Sequence, residues 1–304
     1  MPSFQSYFFE KAIKLSVKRA VKKGIRQKGI EEQREMLDAA ASKMGKLPKN
    51  CQVEHLKIDG LYAEWLTTGA VLENKVILYL HGGGYALCSA NTHRPLAARI
   101  GHAAGVNVLF PEYRLAPEHP FPAAIEDSVN VYHWLLKQGY EGKDIIFAGD
   151  SAGGGLCLAT ALVLRDQNEP LPAGIICLSP WVDLTSSGES YQKNGEVDPY
   201  LSLKAVKEAA RIYAGTESLD HPLISPVFAD LSGLPPLMIQ AGNHEILQSD
   251  ALSLAAKAKD AGVDVSLKVW DGMWHVWQIS GDILPEAKKA TREIGQFIRK
   301  VFKT

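Results

Sequence analysis

The chain has 304 residues, of which 46% are hydrophobic and 22% charged, close to the make-up of an average folded domain. That composition excludes disorder over most of the chain, and the length allows one domain or two. The 33 Lys and Arg nearly balance the 34 Asp and Glu, leaving a net charge of -1. No global field therefore gathers nucleic acid or other polyanions, although a local basic patch is still allowed.

Residues 1–50 are charge-rich and helical in pattern. Phe9, Ile13, Val17, Val21 and Ile25 recur every four residues, beside a basic stripe of Lys14, Lys18, Lys22 and Arg26. The plain reading is a surface helix laid over the protein. The alternative is a helix lying on an anionic membrane surface. The segment lacks the uninterrupted apolar core of a signal peptide. Nowhere does an apolar run reach the roughly 18 residues of a membrane span.

From about residue 53 short apolar stretches alternate with longer helical patterns, which predicts a mostly parallel sheet with helices on its faces. Strands are expected at Val53–Ile58, Leu61–Leu66, Lys75–Leu80, Val106–Phe110, Ile145–Gly149, Gly174–Ser179, Leu237–Ala241 and Val265–Trp270. The first two should form a hairpin around Asp59-Gly60. The other six read as strands buried on both faces. Helices are expected at Thr92–Ala104, Ala123–Lys137, Ala152–Asp166, Ser249–Ala261 and Pro285–Val301. Lys204–Ala214 is a further helix inside an insertion of about residues 184–220, which the sheet does not need. No repeat or low-complexity segment interrupts this order.

The four cysteines, Cys51, Cys88, Cys157 and Cys177, form no CxxC pair, and the last two sit in apolar runs as small core residues. A zinc or disulfide framework is not expected, and a reducing compartment fits best. With no HExxH and no Cys/His cluster, metal ligation has no support.

Two glycine blocks carry chemistry. Gly149-Asp150-Ser151-Ala152-Gly153 lies between a strand pattern and a helix pattern, the context required of a nucleophile elbow. The serine there occupies a strained turn, and the glycines let backbone crowd around it. The plain reading is a glycine turn packing helix on strand. A phosphate loop is not indicated, because G-x-x-x-x-G-K-[ST] and strand-following G-x-G-x-x-G are both absent. The second block, His81-Gly82-Gly83-Gly84-Tyr85, follows VILYL directly. Its glycines leave backbone N–H groups free to meet the negative oxygen of a tetrahedral intermediate.

On these blocks the chain resembles the hormone-sensitive-lipase-like α/β-hydrolases, which include the bacterial family IV carboxylesterases. The resemblance spans roughly residues 50–300. It rests on HGGGY at 81–85, GDSAGG at 149–154, Tyr113-Arg114-Leu115-Ala116-Pro117-Glu118 with the following HPFPAAIED, Ser179-Pro180-Trp181 and Leu234-Pro235-Pro236. It implies an α/β-hydrolase fold with a mostly parallel eight-stranded sheet and a helical cap. The cap would be built from residues 1–50 and about 184–220, on a catalytic domain of residues 51–304. It also implies a serine esterase acting on short acyl esters without a cofactor. In the family the oxyanion hole comes from the second and third glycines of HGGG and the residue after the serine, here Gly83, Gly84 and Ala152. Arg114 and Glu118 read as structural, as does Asp150, hydrogen-bonding the neighbouring loops.

Chain order in this fold is serine, acid, histidine. His55, His93, His102, His119, His133 and His221 lie away from any such loop, and His81 belongs to the glycine block, where it would hold that loop. His244 also sits in this region, but His275 follows the last strand on the loop Asp271-Gly272-Met273-Trp274-His275, level with Ser151. The resemblance therefore makes His275 the base. The acid departs from the commonest pattern, an Asp two residues after the strand-ending glycine followed by Pro-Leu. The loop here reads Gly242-Asn243-His244-Glu245, so Glu245 is the first carboxylate, a spacing that some family members share. Asp250 is the rival, although Ser249 or Asp250 also makes a natural N-cap for the helix that follows.

The expected partner is a small acyl ester, with no nucleic acid and no membrane span. A lactonase or amidase would use the same machinery. A non-catalytic ligand receptor, as in the plant gibberellin receptors, loses the histidine that this chain keeps. A cytoplasmic location is expected, and a homodimer is allowed.

Overall fold

The structure is a computed structural model and describes residues 2–22, 24, 28–41, 47–69, 72 and 74–303. Two helices come first, α1 (Phe4–Lys22) and α2 (Ile30–Ala41). A hairpin of β1 (Gln52–Ile58) and β2 (Leu61–Thr67) follows. Its turn at Asp59-Gly60 takes positive φ at both residues, 48° and 93°, which matches the twist of the flanking strands. Strands and helices then alternate through β3 (Val76–Leu80), α3 (Ala90–Ala104), β4 (Asn107–Pro111), α4 (Ala123–Lys137), β5 (Ile145–Asp150), α5 (Ala152–Asp166) and β6 (Gly174–Leu178). A stretch with α6 (Ser190–Lys193) and α7 (Leu203–Ala214) precedes β7 (Leu237–Gly242), α8 (Gln248–Asp260), β8 (Val265–Trp270) and α9 (Pro285–Phe302).

The eight strands form one sheet in the order β1-β2-β4-β3-β5-β6-β7-β8. β2 is antiparallel to both neighbours, and the six strands from β4 to β8 are mutually parallel. The chain leaves β3 toward β4 and leaves β5 toward β6, in opposite directions from adjacent strands. A crevice therefore opens beyond their carboxyl ends, where open α/β sheets bind their ligands. Both glycine blocks begin at those two ends.

Alternation along the central strands feeds two cores. Val76, Leu78 and Leu80 face Leu156 and Leu162 of α5, while Ile77 and Tyr79 face Leu96 of α3 and Ile294 and Ile298 of α9. This is the layered arrangement expected of a parallel sheet covered on both sides. The strand β8 departs from that expectation. It is the edge of the sheet, pairing only with β7 among the described residues, and it is mostly half-buried rather than enclosed.

Three helix starts also differ from the sequence reading, that of α7 by one residue, at Leu203 instead of Lys204. The helix α3 begins two residues early, at Ala90, because Ser89 and Thr92 close a capping box. The helix α8 begins at Gln248, with Leu247 as a cap that makes no side-chain bond. Ser249 and Asp250 thus lie inside the helix, and the expected capping role falls to neither.

Of the expected N-terminal stripe, Phe9, Ile13 and Val17 are half-buried along α1. Phe9 and Ile13 pack on a third apolar cluster made by Trp270, Met273, Trp274 and Trp277. Lys14 pairs with Glu10 at 2.8 Å, and Lys18 and Lys22 are exposed. Ile25, Arg26 and the side chain of Val21 lie outside the described residues. Among the described residues no helix is long and apolar enough to cross a membrane.

Candidate active site

Ser151 is the junction between β5 and α5, with φ 53° and ψ -122°. A residue with a Cβ rarely adopts such a conformation, and its cost is met by the surrounding packing. Two backbone bonds pin the turn, Ser151 N to Leu178 O at 2.8 Å and Trp181 N to Ser151 O at 2.9 Å. Glycine is required beside it for a steric reason. A Cβ on Gly153 would sit 2.0 Å from Leu80 O, so the first turn of α5 presses directly against the end of β3.

The block after β3 folds onto the same spot. A Cβ on Gly82 would lie 2.3 Å from Asp150 Oδ2 and 3.0 Å from the Ser151 Cβ, which sets this loop against the elbow. Gly83 and Gly84 follow with φ 114° and 63°. Gly83 O accepts from Leu87 N at 2.9 Å. Neither Gly83 N nor Gly84 N donates to another group among the described residues. Ala152 is the first residue of α5, where the N–H has no partner within the helix. The positive end of the α5 dipole lies at the same point.

His81 holds this loop as expected. Its ring stacks on Tyr113 with centroids 4.4 Å apart, and its Nδ1 meets Gly82 O at 2.6 Å. Burial, with His93 nearby, pushes its pKa down to about 4, so the ring is neutral at ordinary pH. Asp150 is structural, as expected, but its side-chain partners lie on β3 and α3 rather than on the neighbouring loops. Its carboxylate accepts from Tyr79 Oη at 2.6 Å and contacts His93 Nε2 at 3.1 Å. Burial opposes its charge, but His93 and Tyr79 outweigh that and hold its pKa below the ordinary value. Arg114 pairs with Asp127 and Glu126, and Glu118 pairs with Arg34 of α2.

His275 lies on the loop after β8 and is tied to the elbow through one neighbour. Val276 N donates to Ser179 Oγ at 3.1 Å, and Ser179 directly follows the Leu178 that accepts from Ser151. Val276 has φ 49°, a strained setting for a β-branched residue.

Glu245 Oε2 lies 2.8 Å from His275 Nδ1, and Glu245 Oε1 accepts from Gly242 N at 2.6 Å. Glu245 is fully buried, and the His275 side chain is 10% exposed. Burial disfavours the imidazolium, yet the hydrogen bond and charge of Glu245 prevail, and the His275 pKa is raised. Asp250 points elsewhere. Its Oδ2 accepts from Val182 N and Asp183 N, both at 2.9 Å. His244 instead faces Glu10 of α1 at 3.4 Å.

Two groups near this pair escaped the sequence reading, and both come from the insertion before β7. Asp198 accepts from Ile246 N at 2.9 Å through Oδ2, and its charge also raises the His275 pKa. Asn194 Nδ2 donates to Glu245 O at 2.8 Å. Asp198-Pro199-Tyr200-Leu201 carries a readable local signal, since Asp198 Oδ1 accepts from Tyr200 N and Leu201 N as in an Asx turn. Nothing local reveals that its second oxygen reaches residue 246.

Two helices, α7 and α2, pack on the loops after β3 and β4. Tyr85 stacks on Tyr213 of α7 with centroids 3.6 Å apart, and a Cβ on Gly84 would meet the Ala209 Cβ at 3.3 Å. From α2, Arg34 donates to Ala86 O at 2.9 Å and Ala116 O at 2.8 Å.

A family model of the alpha/beta hydrolase fold matches residues 77–279. An acetyl-hydrolase of Streptomyces hygroscopicus is 44% identical over 237 residues, covering 78% of this chain and 79% of that protein. An esterase of Acinetobacter venetianus is 39% identical over 248 residues, 81% of each. Among solved structures, an esterase from the bacterial hormone-sensitive lipase family aligns with a TM-score of 0.87 at 47% identity, over 90% of this chain and 92% of that one. An esterase/lipase from an uncultured bacterium aligns with a TM-score of 0.90 at 38% identity, over 99% and 100%.

Proposed function

This chain belongs to the alpha/beta hydrolase family, and from that premise we propose that it is a serine carboxylesterase working through Ser151, His275 and Glu245. The observation that carries the reading is the 2.8 Å contact between Glu245 Oε2 and His275 Nδ1, on a loop bonded to Ser179, the residue after the one that accepts from Ser151 N. With Nδ1–H committed to Glu245, Nε2 is the basic nitrogen. It takes the Ser151 Oγ proton as Oγ attacks the ester carbonyl carbon. The carbonyl oxygen becomes an anion held by the N–H groups of Gly83, Gly84 and Ala152. Collapse breaks the bond to the leaving alcohol, whose oxygen takes the proton from Nε2. Water then repeats the sequence on the acyl-serine and frees the acid.

The raised His275 pKa suits a base that must carry charge mid-reaction and give it up at the end. The helices of residues 1–50 and the insertion of about 184–220 act as a cap over the acyl site, and that enclosure favours short acyl chains. Support for this comes from the packing of α7 on Tyr85 and of α1 on the tryptophan cluster beside His275.

A series of p-nitrophenyl esters of rising acyl length tests the reading. Turnover should be greatest for short chains, survive EDTA, and stop when a sulfonyl fluoride labels Ser151. Activity that EDTA abolishes, or inactivation with the label on another residue, would overturn it.

A further inference from the structure

The helix α1 has two faces, and the cap accounts for only one of them. The inner face, with Phe9 and Ile13, rests on the tryptophan cluster, and Glu10 on that side is engaged with Lys14 and His244. The opposite face carries Phe4, Phe8, Lys11, Leu15, Lys18 and Lys22 at alternating spacings of four and three, with Tyr7 and Arg19 beside them. All eight side chains are exposed. Phe4 is 77% exposed, Phe8 54%, Tyr7 52% and Leu15 50%. These are four of the nine exposed large hydrophobic residues among the described ones, and the other five lie outside α1. Phe4, Tyr7 and Phe8 form one surface cluster, with ring centroids of 4.6 and 5.9 Å, and Lys11 Nζ lies 4.2 Å from the Tyr7 centroid.

We propose that this outer face of α1 is a docking surface for an anionic lipid bilayer. A clustered apolar patch on an otherwise polar surface marks an interaction site. The charge on the face decides what it meets. It bears Lys11, Lys18, Arg19 and Lys22, whereas Glu10, the one acidic residue of α1, is turned to the other side. Aromatic side chains with lysines along the same helix face suit the boundary between acyl chains and headgroups, where rings bury and cations meet lipid phosphates. A second copy of the chain fits less well. It would set one acid-free row of cations against another, with no counter-charge between them. Helix-end stabilisation explains the two basic residues of the last turn, Arg19 and Lys22, but not the aromatic cluster at the opposite end. Because the inner face of α1 lies on the tryptophan cluster beside His275, such docking would place the bilayer over the cap.

The test is co-sedimentation of the full chain with phosphatidylcholine vesicles, with and without phosphatidylserine, at low and high salt. The expected result is binding to the phosphatidylserine vesicles that salt weakens, and little binding to phosphatidylcholine alone. Lys18→Gln with Lys22→Gln should lower the binding constant by roughly fivefold per lysine. Phe4→Ser with Phe8→Ser should lower it by about tenfold or more. These positions are exposed, so melting temperature and turnover of a water-soluble ester should stay unchanged in both variants. No binding to phosphatidylserine vesicles, or binding by both variants equal to that of the wild type, would overturn the proposal. So would light scattering that finds a dimer dissolved by Phe4→Ser with Phe8→Ser, which would assign the face to a second copy.

Discussion

Glu245→Gln tests the core of the mechanism, because a buried amide cannot satisfy both neighbours of the carboxylate. Glu245 accepts from Gly242 N and from His275 Nδ1–H, and no solvent reaches it. If the amide oxygen stays on Gly242 N, its NH2 faces Nδ1. His275 must then move its proton to Nε2, the nitrogen that has to receive the Ser151 proton. If the amide is reversed, its NH2 opposes Gly242 N–H, and two buried donors face each other at an unmade-bond cost of about 1–3 kcal/mol. The first arrangement avoids that cost and stores the ring in the inactive tautomer. A wrong-tautomer triad loses about 10⁴-fold in kcat, or roughly 5.5 kcal/mol of transition-state stabilisation. The assay is kcat on p-nitrophenyl acetate alongside thermal melting, with Asp250→Asn as comparison. The amide in that comparison variant keeps an oxygen for Val182 N and Asp183 N, so turnover should stay close to wild type. The reasoning is refuted if Glu245→Gln, folded normally, retains more than about a tenth of wild-type kcat while Asp250→Asn is inactive.

Three further outcomes follow from the same geometry. Ser151→Ala and His275→Ala should each cost on the order of 10³-fold or more in kcat, and the double variant should be no slower than the slower single one; additive losses would break the assignment. His275 must be neutral to act, so kcat/KM should rise with pH through an apparent pKa above the usual 6.5, and the groups facing it are Glu245, Asp198 and Asp150. Asp198→Asn removes a charge that favours the imidazolium, so this limb should move toward acid in a pH–rate profile, whereas an unmoved limb would deny the coupling. Burial pushes the Asp250 carboxyl from 3.8 up to about 8 in the folded chain, so the native state keeps a proton that the unfolded chain releases. Its contribution to stability is complete below the unfolded value and declines as pH rises from there to about 8. Chemical melts should therefore show Asp250→Asn gaining on wild type across that interval, and a constant difference would count against the shift.

Much of this molecule was written in local pattern. The periods of two and 3.6 located all eight strands and most helices, and Ala123–Lys137 and Ala152–Asp166 kept their expected bounds, because alternation and amphipathic spacing act over a few residues. The two glycine blocks were legible for the same reason, since only glycine fits where a Cβ on Gly153 would strike Leu80 O. Which carboxylate meets His275 was not decided locally. Glu245 and Asp250 are five residues apart, and the matter turns on α8 starting at Gln248, which sends Asp250 toward Val182 and Asp183 and leaves Glu245 facing His275. The exposure of β8 depended on its place at the sheet edge, which its own Val-rich pattern does not encode. Asp198 reaches Ile246, 48 residues onward, by a bond that exists only after the insertion folds back over the sheet. Periodicity reports which face of an element is buried, and only the packed chain decides which distant side chain lies against it.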